Sequence, residues 1–379
     1  LKIFQNIYQN SQWKEELDPE AAQANLLIYF GSKELMSDPR HYEILRQHYP
    51  KADIVGCSTG GEIIGEDVND NTIVTTSIQF DHTQTKVFKV LIKDVNGSHG
   101  AGSKLGSLLQ GDSLAGVMIL SDGTQVNGTD LINGLKETIS ESIPITGGLA
   151  GDGDQFQSTL VAGNNLPEAG AVVAVGFYGD RLQIKYGSCG GWDTFGPQRL
   201  ITRSEGNILY ELDGKPALLL YKKYLGAEAE NLPGSGLLFP LTIYPEGSRD
   251  KALVRTILAV DEENQSMTFA GDIPQGHIAQ LMRGDIDNLI EGASLAATAA
   301  RFEGKNTAKL AVLVSCIGRK LLMGQRIADE IEAVKETLGD QTKTIGFYSY
   351  GELCPKLSDG FCELHNQTMT ITTLSESEQ

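Results

Sequence analysis

The chain has 379 residues, too many for one ordinary core, so length alone argues for two domains. Apolar residues make up 40% and charged residues 21%, which are globular values, and the net charge is −18. That acidity excludes a basic footprint for nucleic acid or for an anionic membrane surface.

No stretch approaches the apolar length of a membrane span, so no membrane insertion is expected. The opening L-K-I-F-Q-N-I-Y-Q-N lacks the charged and apolar regions of a signal peptide, which points to a cytoplasmic protein. Cys57, Cys189, Cys316, Cys354 and Cys362 show no zinc spacing and read as free thiols. Cys354 and Cys362 are close enough in sequence to raise the question of a redox pair.

In chain order, an apolar run at 26–30 leads to a helix over 39–48, capped by Asp38 with Pro39 at its first position. A second run at 52–56 ends in V-G-C-S-T-G-G-E, closing on Glu62. A buried strand leaving its sheet through a glycine turn fits this pattern, because glycine allows close backbone approach. The carboxylate then stands at the carboxyl end of the strand, where open α/β sheets place ligands. A glycine turn with a solvated Glu is the plainer reading of one copy alone.

The unit recurs. A run at 117–120, a helix over 130–142 and a run at 144–147 lead into G-G-L-A-G-D, one residue shorter and ending in Asp152. Short strands at 160–163, 171–178 and 182–186 then read as an antiparallel meander that closes a first domain at 203. A second domain, 204–379, opens with a strand at 207–212, a helix ending at Gly226, and strands at 241–244, 253–260 and 265–269. An Ala-rich helix follows over 286–302. The run 310–316, a helix ended by Gly339, and I-G-F-Y-S-Y-G-E then repeat the unit, closing on Glu352. The last strand is expected over 361–374, with an acidic, disordered tail after it. The fold class is therefore α/β (mixed α+β): two related sheet-and-helix domains built on an internally repeated strand-helix-strand-glycine-turn unit.

Catalytic constellations are absent from the sequence: no G-x-S-x-G elbow, no H-E-x-x-H and no complete Walker A. Cys57 and Ser58 sit at a turn, but no base is identified for them, so no enzyme is expected. His365 lies inside the alternation of the last strand, on one face with Glu363, Gln367 and Met369. A lone strand histidine is more often structural, yet His365 is the best single candidate for a metal or haem ligand.

The motifs G-C-S-T-G-G-E, G-G-L-A-G-D, L-D-G-K-P-A at 212–217, C-I-G-R at 316–319, G-F-Y-S-Y-G-E and H-N-Q-T-M-T at 365–370 resemble the FIST family of sensory domains, N-terminal and C-terminal halves together. The resemblance implies a non-catalytic sensor that binds a small ligand and regulates a histidine kinase, a cyclic-di-GMP enzyme or a chemoreceptor. A stand-alone subgroup, the NosP-like nitric-oxide-sensing proteins, binds haem, which makes haem the first cofactor to test here. Haem needs an apolar slot and an axial donor, for which Cys316, Tyr348, Tyr350 and His365 are the candidates. An amino-acid or other metabolite ligand would instead use Glu352, Ser349 and Arg319, with Glu62 at the matching turn. A protein-interaction scaffold is the third reading, and a homo-oligomer is compatible with all three.

Overall fold

The computed structural model describes residues 1–15, 18–302, 307–356 and 360–377. The fold is mixed α+β, and three of its sheets share one plan. In the first unit, strands Leu26–Gly31 and Asp53–Ser58 run parallel, joined by helix Pro39–His48. Strand Ile73–Gln79 returns antiparallel beside Leu26–Gly31, and Lys2–Gln9 pairs outside it. The second unit repeats this with Leu114–Ser121, helix Gly128–Lys136, Ile145–Leu149, the return strand Ala171–Tyr178 and the outer strand Gln84–Leu91. The third uses Leu310–Cys316, helix Ile327–Leu338, Lys343–Ser349, Met369–Glu376 and Leu182–Cys189. The first strand of each pair is a continuous apolar run because both of its faces are covered: Leu26–Gly31 and Leu310–Cys316 are buried throughout.

Each unit gives a strand away. After Asp53–Ser58 the chain turns and Glu62–Ile64 pairs with Lys343–Ser349 of the third unit. After Lys343–Ser349, Gly351–Pro355 pairs with Ile145–Leu149 of the second. After Ile145–Leu149, Val161–Gly163 pairs with Asp53–Ser58 of the first. The exchange closes into a cycle, and the three sheets meet around the turns where the strands depart. Phe30 and Phe347 pack ring to ring, 4.6 Å apart, between the first and third sheets.

The three strands expected as one meander enter three different sheets: Val161–Gly163, Ala171–Tyr178 and Leu182–Cys189 each find a distant partner. The single last strand is two strands, Cys362–His365 and Met369–Glu376, in different sheets. Gln367, with φ +64, lies in the connection between them. Ser375 and Glu376 are ordered rather than part of a loose tail. The Glu376 carboxylate accepts the backbone N–H groups of Asp81, His82 and Thr83, while residues 378–379 lie outside the described residues.

Strand Trp192–Glu205 carries the chain across residue 203 into a sheet inserted within the third unit. The terminal strands of that sheet, Leu253–Arg255 and Ile257–Asp261, are separated by Thr256 alone, so the sheet closes on itself as a barrel. Its interior is filled by Ile201, Leu209, Met267, Phe269 and Leu281, with Leu218 and Tyr221 of helix Ala217–Leu225 packed among them. Helix Ile286–Ala299, capped by the Asp285 carboxylate, returns the chain to the core, where Ala293, Ala296 and Ala297 are buried.

Candidate functional site

The repeated glycines have a cause inside the sheet. Gly56, Gly147 and Gly346 occupy equivalent places, and a Cβ on any of them would overlap a carbonyl oxygen of the neighbouring first strand: that of Tyr29, Ile119 or Leu313. The turns that follow form a ring of main-chain hydrogen bonds. Gly60 N–H donates to the Tyr348 carbonyl (2.7 Å), Tyr350 N–H to that of Leu149 (3.1 Å), and Gly151 N–H to that of Ser58 (2.9 Å).

The two motif glutamates sit beside this ring in matching cradles. Glu352 accepts from the Ser349 hydroxyl (2.6 Å), the Thr368 N–H (3.1 Å) and the Thr368 hydroxyl (3.0 Å). Glu62 accepts from the Thr59 hydroxyl, the Thr72 N–H (3.1 Å) and the Thr72 hydroxyl (2.7 Å). Both carboxyls are buried. Burial pushes Glu352 up to about 8 and Glu62 up to about 7, against the opposing pull of those hydrogen bonds. Each glutamate fastens the start of a departing strand to the residue just before the return strand.

Arg319 is fully buried and paired. Its guanidinium holds Glu330 (2.6 Å), the Leu289 carbonyl (2.8 Å) and the Gly190 carbonyl. Glu330 also accepts from Ser315 (3.0 Å) and Tyr348 (3.1 Å). Cys316 is buried beside this group, and burial pushes its thiol well up. All five cysteines are free. The strand register sets Cys354 opposite Glu363 and Cys362 opposite Pro355, so the Cys354 and Cys362 side chains leave opposite faces of the ribbon.

His365 is half-buried, with Nε2 3.0 Å from the Cys354 carbonyl. Desolvation pushes its imidazole down to about 4, so the ring is neutral at neutral pH. Tyr350 donates its hydroxyl to Asp152 and accepts from the N–H groups of Asp152 (3.1 Å) and Phe156 (3.2 Å). Asp152 in turn accepts from Gln157 (3.1 Å) and Ser158 (2.9 Å), with Lys33 Nζ at 3.7 Å. The acid that ends the second, shorter motif copy is therefore the organiser of the 152–158 loop.

The cleft lies above this loop, between the turns of the core and the wall of the barrel. Its smaller lobe, about 210 Å³, has Thr124, Gln125, Asn127 and Tyr350 on the core side, and Asn207, Phe269 and Ala270 on the barrel side. Its larger lobe, about 400 Å³, is bounded by Asp154, Gln155 and Leu321 against Pro233, Leu237 and Ile257. Phe156 and Leu258 line both lobes. The Asn127 side chain accepts from Thr129 (2.9 Å) and Asp130 (3.2 Å), capping helix Gly128–Lys136, and donates to Asp272 of the barrel unit (3.0 Å).

Of the residues singled out from the sequence, Tyr350 lines the cleft. Ser349 and Glu352 pack beneath it, Glu62 occupies the matching cradle of the first unit, and Arg319 and Cys316 belong to the buried network. Phe156, Leu258 and Asn207 carried no motif. Asn127 did carry a signal, because N-G-T-D is a helix-capping pattern.

The residues present do not fit haem. Neither lobe is lined by His, Cys, Lys or Arg, so axial donor and propionate partners are both missing there. The Tyr350 hydroxyl is committed to Asp152. Among the described residues, no group of three or more His, Cys, Asp or Glu side chains could hold a metal ion.

This three-unit core with an inserted barrel is matched by two family models. The FIST N domain matches residues 25–215 and the FIST C domain matches residues 217–355. The chain belongs to the FIST family of sensory domains, which serve signal transduction by binding small ligands. It is also similar, at 24% identity over 99% of this chain and 79% of the relative, to an uncharacterised protein of Methanocaldococcus jannaschii. Among the described residues no helix is long and apolar enough to cross a membrane.

Proposed function

We propose that this protein is a sensor that holds a small organic molecule, not haem, in the cleft between barrel and core, and reports its occupancy to a signalling partner. One observation carries the reading: the cleft walls come from the barrel on one side and from the second and third units on the other, with Tyr350 of the third unit bonded to Asp152 and Lys33 of the first unit 3.7 Å from the same carboxylate. A ligand that fills it touches the barrel and the junction of the core at once, so binding changes how firmly the two are held together. The partner class expected from the resemblance is a histidine kinase or a cyclic-di-GMP enzyme. The carboxyls and hydroxyls of the motif hold the junction, and turnover of a substrate is not part of the proposal.

The test is a thermal-shift screen of a metabolite library, repeated on Gly234→Trp. Gly234 lines the larger lobe and a Cβ there meets nothing within 4 Å, so an indole is accommodated at the rim of the lobe without backbone strain and is expected to crowd it. A ligand at one hundred times its Kd stabilises the folded chain by about 2.7 kcal/mol. The expected result is a compound that raises Tm in the parent chain and not in Gly234→Trp. The haem reading is checked in parallel by the Soret band after desalting. A retained band that is lost in His365→Ala, with no cleft-dependent metabolite, would replace this proposal with the haem-based nitric oxide sensor.

A further inference from the structure

Phe156 is the one aromatic side chain shared by the two lobes. Its backbone sits at φ +52, a left-handed conformation that is costly for an aromatic residue. Two contacts hold it there: its N–H on the Tyr350 hydroxyl, and its ring stacked on the Tyr350 ring at 4.4 Å and 19°. The strain lies in the backbone, and rotation about the side-chain bonds moves the ring off Tyr350 without altering the backbone.

The two lobes differ in character. The larger is walled by Pro233, Leu237, Ile257, Leu258 and Leu321, and Leu258 and Leu321 remain exposed at its mouth. The smaller carries carboxamides. Among the described residues the Gln125 side chain makes no hydrogen bond, and Asn207 uses its amide on the Phe269 carbonyl (2.7 Å), leaving its oxygen. The charge that lines the lobes is acidic. Asp154 lines the larger lobe, and Asp272, held by Asn127, stands behind the smaller one with Asp130 beside it. The Asp272 charge is offset in part by the buried Arg255, whose Nε donates to the Asp272 carbonyl (3.0 Å). No lining residue of either lobe is cationic.

Resting on the sensor reading above, we infer that the two lobes are one elongate site for an amphipathic molecule. Its apolar body lies in the larger lobe, its uncharged or cationic polar head lies among the carboxamides of the smaller, and Phe156 is the movable partition between them. The ring swings off Tyr350 when a ligand spans both lobes, and the aromatic face of Tyr350 is then free to meet the head group. An anionic head is disfavoured, since it would be desolvated near carboxylates with no cation in the lining, and the guanidinium of Arg255 is buried and spent on the carbonyls of Val254, Leu364 and Asp272.

Decanol, decyltrimethylammonium and decanoate share one chain length and differ in the charge of the head. Their binding to the full chain is measured by isothermal titration below micelle-forming concentrations, alongside Gly234→Trp and Phe156→Ala, each checked for folding by its melt. The expected order places the cation and the alcohol ahead of decanoate by at least about ten-fold. Gly234→Trp abolishes the binding, and Phe156→Ala tightens it. Decanoate binding as well as the cation, or binding that ignores Gly234→Trp, overturns the inference. If the metabolite screen finds a cleft ligand while all three amphiphiles fail, the elongate site falls and the sensor reading stands. If nothing tested responds to Gly234→Trp, both fall.

Discussion

Glu352 and Glu62 are carboxyls that folding drives toward the protonated form. Their ordinary value is 4.5, and in the fold they stand at about 8 and about 7. A folded value raised above the unfolded one gives stability that is fully present below 4.5 and is lost as pH rises through 7 to 8, at up to about 1.4 kcal/mol per pH unit for each proton. Glu352→Gln keeps an acceptor for Thr368 and offers Ser349 a donor. Its melts are expected to match the parent at pH 5 and exceed it at pH 9, and a parallel pH dependence in both proteins would refute the assignment. His365 works in the opposite sense. Its value falls from 6.5 to about 4, so its share of stability is present above 6.5 and is lost as pH drops toward 4. Arg319→Ala leaves Glu330 buried without its cation and should cost about 3–5 kcal/mol in urea denaturation. A loss below about 1 kcal/mol would mean the pair is not desolvated. The Gly-Glu spacing was legible in the sequence and marked a real junction, with the glycine making the close backbone approach expected of it. The first glycine clears a neighbouring carbonyl, and the glutamate ties two strands. The cleft residues Phe156 and Leu258 lie on a loop and a barrel strand where no spacing rule applies.

The strand-helix-strand units were legible because their apolar periodicity is local. The destination of each departing strand was not, because Glu62–Ile64 and its partner Lys343–Ser349 are most of a chain apart and nothing in either segment names the other. The same holds for the barrel: the run expected as one strand over 253–260 bends at Thr256 and pairs in two directions, with Leu241–Pro245 before the bend and Ser266–Phe269 after it. Helix packing in the second unit rests on small residues. A Cβ at Gly134 would overlap the His99 carbonyl of helix Gly97–Leu109, and one at Gly102 would overlap the Leu131 carbonyl of helix Gly128–Lys136. Gly134→Ala should therefore destabilise by about 1–3 kcal/mol despite alanine's better helix propensity. An alanine variant as stable as the parent would show that the helices slide apart at no cost.

At the scale of the molecule, each exchange joins two of the three units and the three exchanges close a cycle, so no third of the core can be completed without the others. The three departing strands are expected to lose hydrogen-exchange protection together, in one opening event. The barrel over 192–284, with its own interior, opens separately. Independent protection of the 1–203 segment would contradict this. The ring formed by Gly60, Tyr350 and Gly151 bears on how such a molecule diverges. Each of its bonds runs between an N–H and a C=O, so, proline aside, the side chains there are limited by space alone: a Cβ on Gly60 would press on Ile317, and one on Gly151 on the Gly60 nitrogen. The junction is inherited through the path of the main chain, while the cleft above is written in side chains that can drift. On the sensor reading proposed above, one fulcrum of main-chain bonds would serve different ligands, with new specificities arising by rewriting the walls and leaving the lever alone.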